Sequence, residues 1–427
     1  MSKVQQLLIF ISMLTAAQSF GQKQEKMTYE QYVREGIPSK KEIDVFLNEL
    51  SWAQFDPELG YILGNYMPHD GFEGSATIST SQKNGARTAF VYADRPCRIN
   101  TYGNSFTQCH QASDAETWQE YLAGHLGEPV RNFGMGGYGT YQAYRRMRRE
   151  EATKNSAENI VLYIWGGDHI RSLMRCRYMA FRQWRDRNAE LEGEGIMFHG
   201  NFWANLEMDL QTGQFVEHDS RVQSPQALYN MVDPDWLAEN LEGDWALQMY
   251  LFIRREIEEV DIHNLQKLSR HLGLEQSWDH ENLHTTVAHL LDKYSFAATK
   301  FILNKAQAFA EAEGKKLLIV LFDPYRVLRS LLEGQARYDQ EIVDFLTENA
   351  FNYFDMNTVH LADYQDFNLS IDDYFQRYFI GHYNPMGNHF FAYKIKSSIV
   401  EMLHPKPITY SKKETQMMNF KEYLDKY

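Results

Sequence analysis

The chain has 427 residues, 44% of them hydrophobic, enough for a sizeable core in one large domain or two. Its 57 acidic and 43 basic side chains give a formal net charge of −14, which argues against nucleic acid as a partner, since phosphate binding calls for a basic surface. Three cysteines, Cys97, Cys109 and Cys176, are too few for a disulfide scaffold.

The first residues read as an export signal. Lys3 supplies the positive end, residues 7–14 a short apolar core, and Ala16, Ala17, Ser19 and Gly21 the small residues of a cleavage region. That run is too short to span a bilayer, and no later stretch is apolar enough to do so. The expectation is a signal peptide over residues 1–22 and an exported, periplasmic or secreted protein without a membrane span.

Residues 23–90 form a lead-in. Over residues 28–52 Tyr32, Ile37, Ile43, Phe46, Leu47 and Leu50 recur at helical spacing. Residues 55–87, rich in Gly, Pro, Asn and Ser with a β-like run at 76–80, read as irregular antiparallel structure. From Cys97 strands and helices alternate: strand 98–102, helix 116–126, strand 129–133, helix 140–151 and the near-continuously apolar strand 159–165. Each strand stops at a glycine turn and hands over to a helix, the pattern of a doubly wound parallel sheet with its site at the strands' C-terminal ends.

The alternation stops between Met174 and Lys300. A hairpin over 202–216 turns at Gln211-Thr212-Gly213, and helical sequence follows from Asp233, with Asp233 and Ser277 as starts. With no linker composition at either end, this reads as an insertion (about 175–300) over the C-terminal edge of the sheet. A helix to Glu313, a strand at 316–322, a helix at 338–349, a fifth strand at 351–355 and a last helix to about Leu403 complete an α/β domain over 91–404; residues 405–427 form a polar tail.

Three segments carry candidate chemistry. In Thr101-Tyr102-Gly103-Asn104-Ser105 a serine follows a strand on a turn tight enough to need Gly103, where α/β enzymes place a nucleophile, and the helix behind it offers free backbone N–H groups. Gly134-Met135-Gly136-Gly137-Tyr138-Gly139 is a second close turn, and Gly381-His382-Tyr383-Asn384-Pro385 carries a loop histidine. A serine hydroxyl is a weak nucleophile near neutral pH until an imidazole takes its proton. Cys97 and Cys109 flank the serine turn and either pair or remain buried thiols.

Gly103-Asn104-Ser105-Phe106-Thr107, Asn132-Phe133-Gly134-Met135-Gly136-Gly137-Tyr138-Gly139 and Gly381-His382-Tyr383-Asn384-Pro385-Met386-Gly387-Asn388 resemble the first, second and last blocks of the SGNH (GDSL-type) hydrolases, in that family's order. The Phe55-Asp56-Pro57-Glu58-Leu59-Gly60 lead-in is similar to a prelude in some members. The resemblance covers roughly residues 90–170 and 315–400. It implies a three-layer α/β/α flavodoxin-like sandwich with a central parallel five-stranded sheet, here carrying a large, mostly helical insertion. It also implies ester hydrolysis through an acyl-enzyme, with Ser105 as nucleophile, His382 as general base, the N–H groups of Ser105 and Gly137 as oxyanion donors, and no cofactor. The implied substrate is an O-acyl, above all acetyl, ester of a carbohydrate or small molecule. Oligomeric state stays open.

The chain departs from the family pattern at three places. Asn104 stands where the first block has Asp. Gly167 stands where the third block has an Asn that donates to the oxyanion, and the neighbouring Asp168 repels an oxyanion while ionised. A missing donor of that kind costs about 3 kcal/mol of barrier, so His169, a backbone N–H near Gly167 or a group from the insertion must compensate. Phe379 and Ile380 stand where the last block has its Asp, which leaves Asp372, Asp373 and Asp168 as candidate acids, or His382 oriented by a backbone carbonyl.

Two other readings follow. A weakened relative would bind a glycan or transfer acyl groups. A metal protein would use His280 and His284, since His280-Glu281-Asn282-Leu283-His284 matches the zincin spacing with His289 or Glu311 as third ligand, against the plainer reading of a polar helix face. Trp203, Trp236, Trp245 and Trp278 would line a sugar platform or fill core. Arg171, Arg175, Arg177, Arg182, Arg185 and Arg187 form a solvated helix face or, with an acidic glycan as partner, an anion site.

Overall fold

The computed structural model describes residues 27–49, 51–180 and 200–411. The expected signal segment, Arg182, Arg185, Arg187 and the end of the tail lie outside them.

The lead-in begins with two helices where spacing predicted one, α1 (Tyr29–Glu35) and α2 (Lys40–Asn48). Thr28 and Ser39 each cap their own helix, and Gln31 and Glu42 reach back to complete capping boxes. Gly36 and Pro38 stand between them. Strands β1 (Ala53–Asp56) and β2 (Gly60–Leu63) pair as an antiparallel hairpin. The run at 76–80 contributes a single bridge, Ser79 to Tyr66.

The chain then lays down β3 (Ile99–Tyr102), α3 (Ser105–Gln108), α4 (Trp118–Leu126), β4 (Arg131–Asn132), α5 (Thr140–Glu151), β5 (Asn159–Ile164) and α6 (Gly166–Arg171). The hairpin β6 (Asn205–Met208) and β7 (Phe215–His218) follows, with α7 (Pro234–Leu241), α8 (Trp245–Ile253), α9 (Ile262–His271) and α10 (Leu283–Ala312). Helix α10 runs unbroken for 30 residues, so the end of the insertion and the helix that covers the sheet are one element. It starts at Leu283 and not at Ser277. Then come β8 (Lys316–Leu321), α11 (Arg329–Leu332), α12 (Gln340–Glu348), β9 (Tyr353–Asp355), α13 (Met356–Gln365), α14 (Ile371–Tyr378) and α15 (Pro385–Met402). Helices α13 and α14 were not expected from spacing.

Strands β3, β4, β5, β8 and β9 form one parallel sheet in the order β4-β3-β5-β8-β9. Every residue of β5 is buried, and every residue of β8 except Lys316. Burial on both faces is why these strands read as unbroken apolar runs. Ile160, Leu162 and Ile164 meet Leu317, Ile319 and Leu321 in one core, closed by α5 and α10; Val161 and Tyr163 meet Leu318 and Val320 in a second, closed by α4 and α15. The molecule is thus a mixed α/β fold around a five-stranded parallel sheet. The chain leaves β3 for β4 on one side and returns past it to β5 on the other. The loops after β3 and β5 therefore diverge at the C-terminal ends of the strands, the place where open parallel sheets bind their ligands. Ser105 follows β3, and Gly166, Gly167 and Asp168 follow β5.

Cys97, Cys109 and Cys176 are free thiols. Cys109 points at Gln119 Oε1 (3.3 Å) and Cys97 at the Ile99 carbonyl (3.1 Å), so the two do not pair. Trp203 is a buried core side chain, while Trp236, Trp245 and Trp278 are partly buried and pack against the first core. Among the described residues no helix is long and apolar enough to cross a membrane.

Candidate active site

The serine turn is built from local rules. Gly103 adopts φ 155°, and a Cβ there would run into Thr107 Oγ1 and sit 2.9 Å from the Tyr163 carbonyl, so glycine is required. Asn104 caps α3, its Oδ1 accepting the Phe106 N–H at 2.7 Å, and Ser105 opens the helix. Cys109 at φ 60° ends it, with its N–H returned to the Ser105 carbonyl. Gln111, at φ 68°, adds a second left-handed residue, and the two together curl the chain back beside the serine. The buried Arg87 fastens this curl: it pairs with Asp114 at 2.9 Å and donates to the carbonyls of Gln108 (2.6 Å), Cys109 (2.9 Å) and Ala112.

His382 meets the serine from the opposite side. Its Nε2 lies 2.7 Å from Ser105 Oγ. Its backbone N–H donates to Gln111 Oε1 at 2.9 Å, and its Nδ1 lies 3.0 Å from the same oxygen. Gln111 Nε2 donates to the Asp70 carbonyl at 3.1 Å, which fixes the amide with its oxygen toward the ring. An acceptor at Nδ1 puts the proton there and leaves the Nε2 lone pair for the Ser105 hydroxyl. Burial, with the charges of His110 and Arg171, holds the His382 pKa well below the usual histidine range. The ring stays neutral, as a base must.

The loop that carries His382 is anchored on both sides. The Tyr325 hydroxyl donates to the Gly381 carbonyl, and Asn384 caps α15 by accepting the Gly387 N–H at 2.9 Å, with Pro385 in the first turn. His110 stacks edge-on against His382 at 5.0 Å, with its Nε2 3.4 Å from Asp70 Oδ2.

None of the three candidate acids makes a hydrogen bond to His382. Helix α14 carries Asp372 to Arg329 (3.0 Å), while Asp373 accepts the Ser370 hydroxyl at 2.7 Å as part of the helix cap. Both are committed to the first turn of a helix that sequence spacing missed. Asp168 is buried and accepts from Asn104 Nδ2, from the Trp165 N–H at 2.8 Å and from Arg171 Nη1 at 3.3 Å. Burial pushes its pKa up to about 7, against the pull of Arg171 and those N–H donors. Its role is to tie the loop after β5 to Asn104, beside the serine. The partner at Nδ1 is the neutral Gln111, for which no spacing in the sequence gave a signal.

The glycine loop after β4 lies on α3. The Met135 N–H donates to the Gly103 carbonyl at 3.0 Å and the Gly136 N–H to Gln108 Oε1 at 2.6 Å. Gly137 has φ 86°, and a Cβ there would fall on Arg177 Nη1. The N–H groups of Ser105 and Gly137 have no acceptor among the described residues, so both remain available. Gly167 lies under the Trp165 indole and brings no side-chain donor. His169 does not replace one, because its Nδ1 is turned to Thr299 Oγ1 (2.8 Å) and its ring stands against Phe296 on α10.

The pair His280 and His284 does not form the zincin arrangement. Helix α10 begins after His280, so the two rings share no helix face. His284 lies tilted against Phe252 with ring centroids 4.7 Å apart, His289 contacts Gln276 at 3.1 Å and Glu311 accepts from Gln307 at 2.7 Å. Among the described residues no three His, Cys, Asp or Glu side chains gather as a metal site.

No family model matches the chain, and no curated protein matches it.

Proposed function

We propose that the chain is a serine ester hydrolase of SGNH type, with the flavodoxin-like sandwich which that family implies, acting on O-acetyl or related O-acyl esters of carbohydrates or small molecules outside the cytoplasm. The observation that carries the reading is the 2.7 Å contact between Ser105 Oγ and His382 Nε2, with His382 Nδ1 held by Gln111. In this mechanism Ser105 Oγ attacks the acyl carbon while His382 Nε2 takes its proton. The negative charge on the carbonyl oxygen is received by the N–H groups of Ser105 and Gly137. Collapse expels the alcohol, protonated by His382, and leaves the acyl group on Ser105. His382 then takes a proton from water as the water attacks the acyl-enzyme, and returns it to Ser105 Oγ as the acyl–serine bond breaks and the carboxylic acid leaves.

Gln111 sets the tautomer of His382 but, being neutral, offsets none of the charge that the imidazolium acquires. That favours slow turnover, and with it a second reading in which the acyl group passes from Ser105 to an alcohol instead of water. Release of nitrophenol from nitrophenyl acetate tests the first step common to both. Wild type is expected to release it and Ser105→Ala not to; undiminished release by Ser105→Ala contradicts the proposal. Partition of the acetyl group between water and added sugar alcohols separates hydrolysis from transfer.

A further inference from the structure

One cation beside the serine is poorly matched by its surroundings. Arg171, at the end of α6, places its guanidinium 4.7 Å over the Trp165 ring and its Nη1 3.3 Å from Asp168 Oδ1. That is its only hydrogen bond among the described residues, and it is long. The carboxylate it leans on is already shared with Asn104 Nδ2 and the Trp165 N–H. Only 14% of the Arg171 side chain is exposed, and its remaining N–H groups have no protein partner among the described residues, which leaves them open to a ligand.

Its position is next to the reacting groups. Asp168 joins Arg171 to Asn104, the neighbour of Ser105. The Trp165 ring that carries the guanidinium covers Gly167, the point where the expected third oxyanion donor is missing. A second guanidinium, that of Arg177, fills the space against Gly137 and donates to the Tyr61 hydroxyl at 3.1 Å. The two cations act on each other: burial and the Arg177 charge bring the Arg171 pKa down to about 10 despite Asp168, and Arg171 in turn helps to lower the pKa of His382. An anion at Arg171 relieves both.

We propose that Arg171 is the recognition point for a negatively charged group on the substrate, and that the ester this site takes carries a carboxylate, as an O-acylated uronic acid does. The assignment rests on the ester-hydrolase reading above. A carboxylate fits the planar fork of a guanidinium through two parallel N–H···O bonds. A phosphate dianion is disfavoured, because the Asp168 carboxylate stands 3.3 Å from the same guanidinium and repels a dianion more strongly than a monoanion.

The test uses matched acetyl esters, an O-acetylated methyl glucuronoside and the corresponding methyl glucoside. Wild type is expected to show roughly tenfold or more higher kcat/KM on the acidic ester, the worth of one charge-assisted pair. Arg171→Gln brings the ratio close to one and Arg171→Lys keeps part of it. A wild-type ratio near one, or a ratio unchanged in Arg171→Gln, overturns the proposal. Should Arg171→Gln not fold, thermal shifts of Ser105→Ala with sodium glucuronate, glucose and inorganic phosphate decide: stabilisation by glucuronate alone supports the carboxylate site, and equal or better stabilisation by glucose or phosphate overturns it. The two readings fail separately. Loss of all Ser105-dependent turnover with glucuronate binding intact removes the hydrolase and keeps the anion site, whereas turnover without charge preference does the reverse.

Discussion

Two histidines sit one residue apart in space through Tyr383, and they are built alike. His360 contacts the Tyr374 hydroxyl through Nδ1 (2.8 Å) and the Tyr383 hydroxyl through Nε2 (2.7 Å); His382 contacts Gln111 through Nδ1 (3.0 Å) and the Ser105 hydroxyl through Nε2 (2.7 Å). Burial lowers the pKa of both. The surroundings differ. His360 is fully enclosed by Phe322, Phe379 and Phe390, and its hydroxyl partners belong to side chains fixed in turn, Tyr374 by Asp363. His382 is half-buried, and its hydroxyl partner stands at the first position of α3, where the Ser105 N–H has no acceptor among the described residues. A histidine–hydroxyl contact is therefore structural in one region and, in our proposal, catalytic in the other. What separates them is access to the hydroxyl and its place at a helix start with an N–H still open.

The largest expected effect breaks this comparison on activity. Ser105→Ala or His382→Ala lowers turnover of an acetyl ester by about a million-fold, whereas His360→Leu acts on stability. Tyr374 keeps Asp363, but leaving the Tyr383 hydroxyl buried without His360 costs roughly 1–3 kcal/mol, read as a lower urea midpoint with unchanged slope. His360 also has a pH signature. Its pKa is depressed from 6.5 to about 3 in the folded protein, so its contribution is fully present above pH 6.5 and is lost as the pH falls toward 3. His360→Leu should be less stable at neutral pH and lose less of its stability over that window.

A smaller effect sharpens the comparison at Nδ1. Gln111→Ala removes the group that sets the tautomer and is expected to lower kcat roughly tenfold with little change in KM, a part of what general-base catalysis supplies. The smallest is a shift in pH dependence. Because the His382 pKa lies below 6.5, the acid limb of kcat/KM for wild type falls below pH 6.5. Gln111→Glu puts a carboxylate beside the ring, favours the imidazolium and moves that limb to higher pH; no movement argues against Gln111 as the orienting group.

What the sequence disclosed was local. Strands β5 and β8 are apolar runs buried on both faces, the Ser105 turn needs Gly103, and the His382 loop ends in the Asn384-Pro385 helix start, so each is written in neighbouring residues. What escaped was tertiary. Gln111 reaches His382 only because Cys109 and Gln111 take left-handed backbone conformations and Arg87 fastens the curl from the lead-in. Asp372 and Asp373 were plausible acids until α14 took them into its own first turn. Strand β4 is two residues long and finds its place through pairing with β3, not through its own pattern. Arg171 read as a surface cation because nothing in its spacing reveals that Trp165 and Asp168 enclose it.

The most direct test of the central claim is mass spectrometry of the protein quenched within the first turnovers of nitrophenyl acetate. The account predicts an acetyl group on the peptide that contains Ser105, absent in Ser105→Ala and accumulating in Gln111→Ala only in proportion to its slower turnover. Full turnover with no acyl group on Ser105, or with the adduct on another side chain, contradicts it.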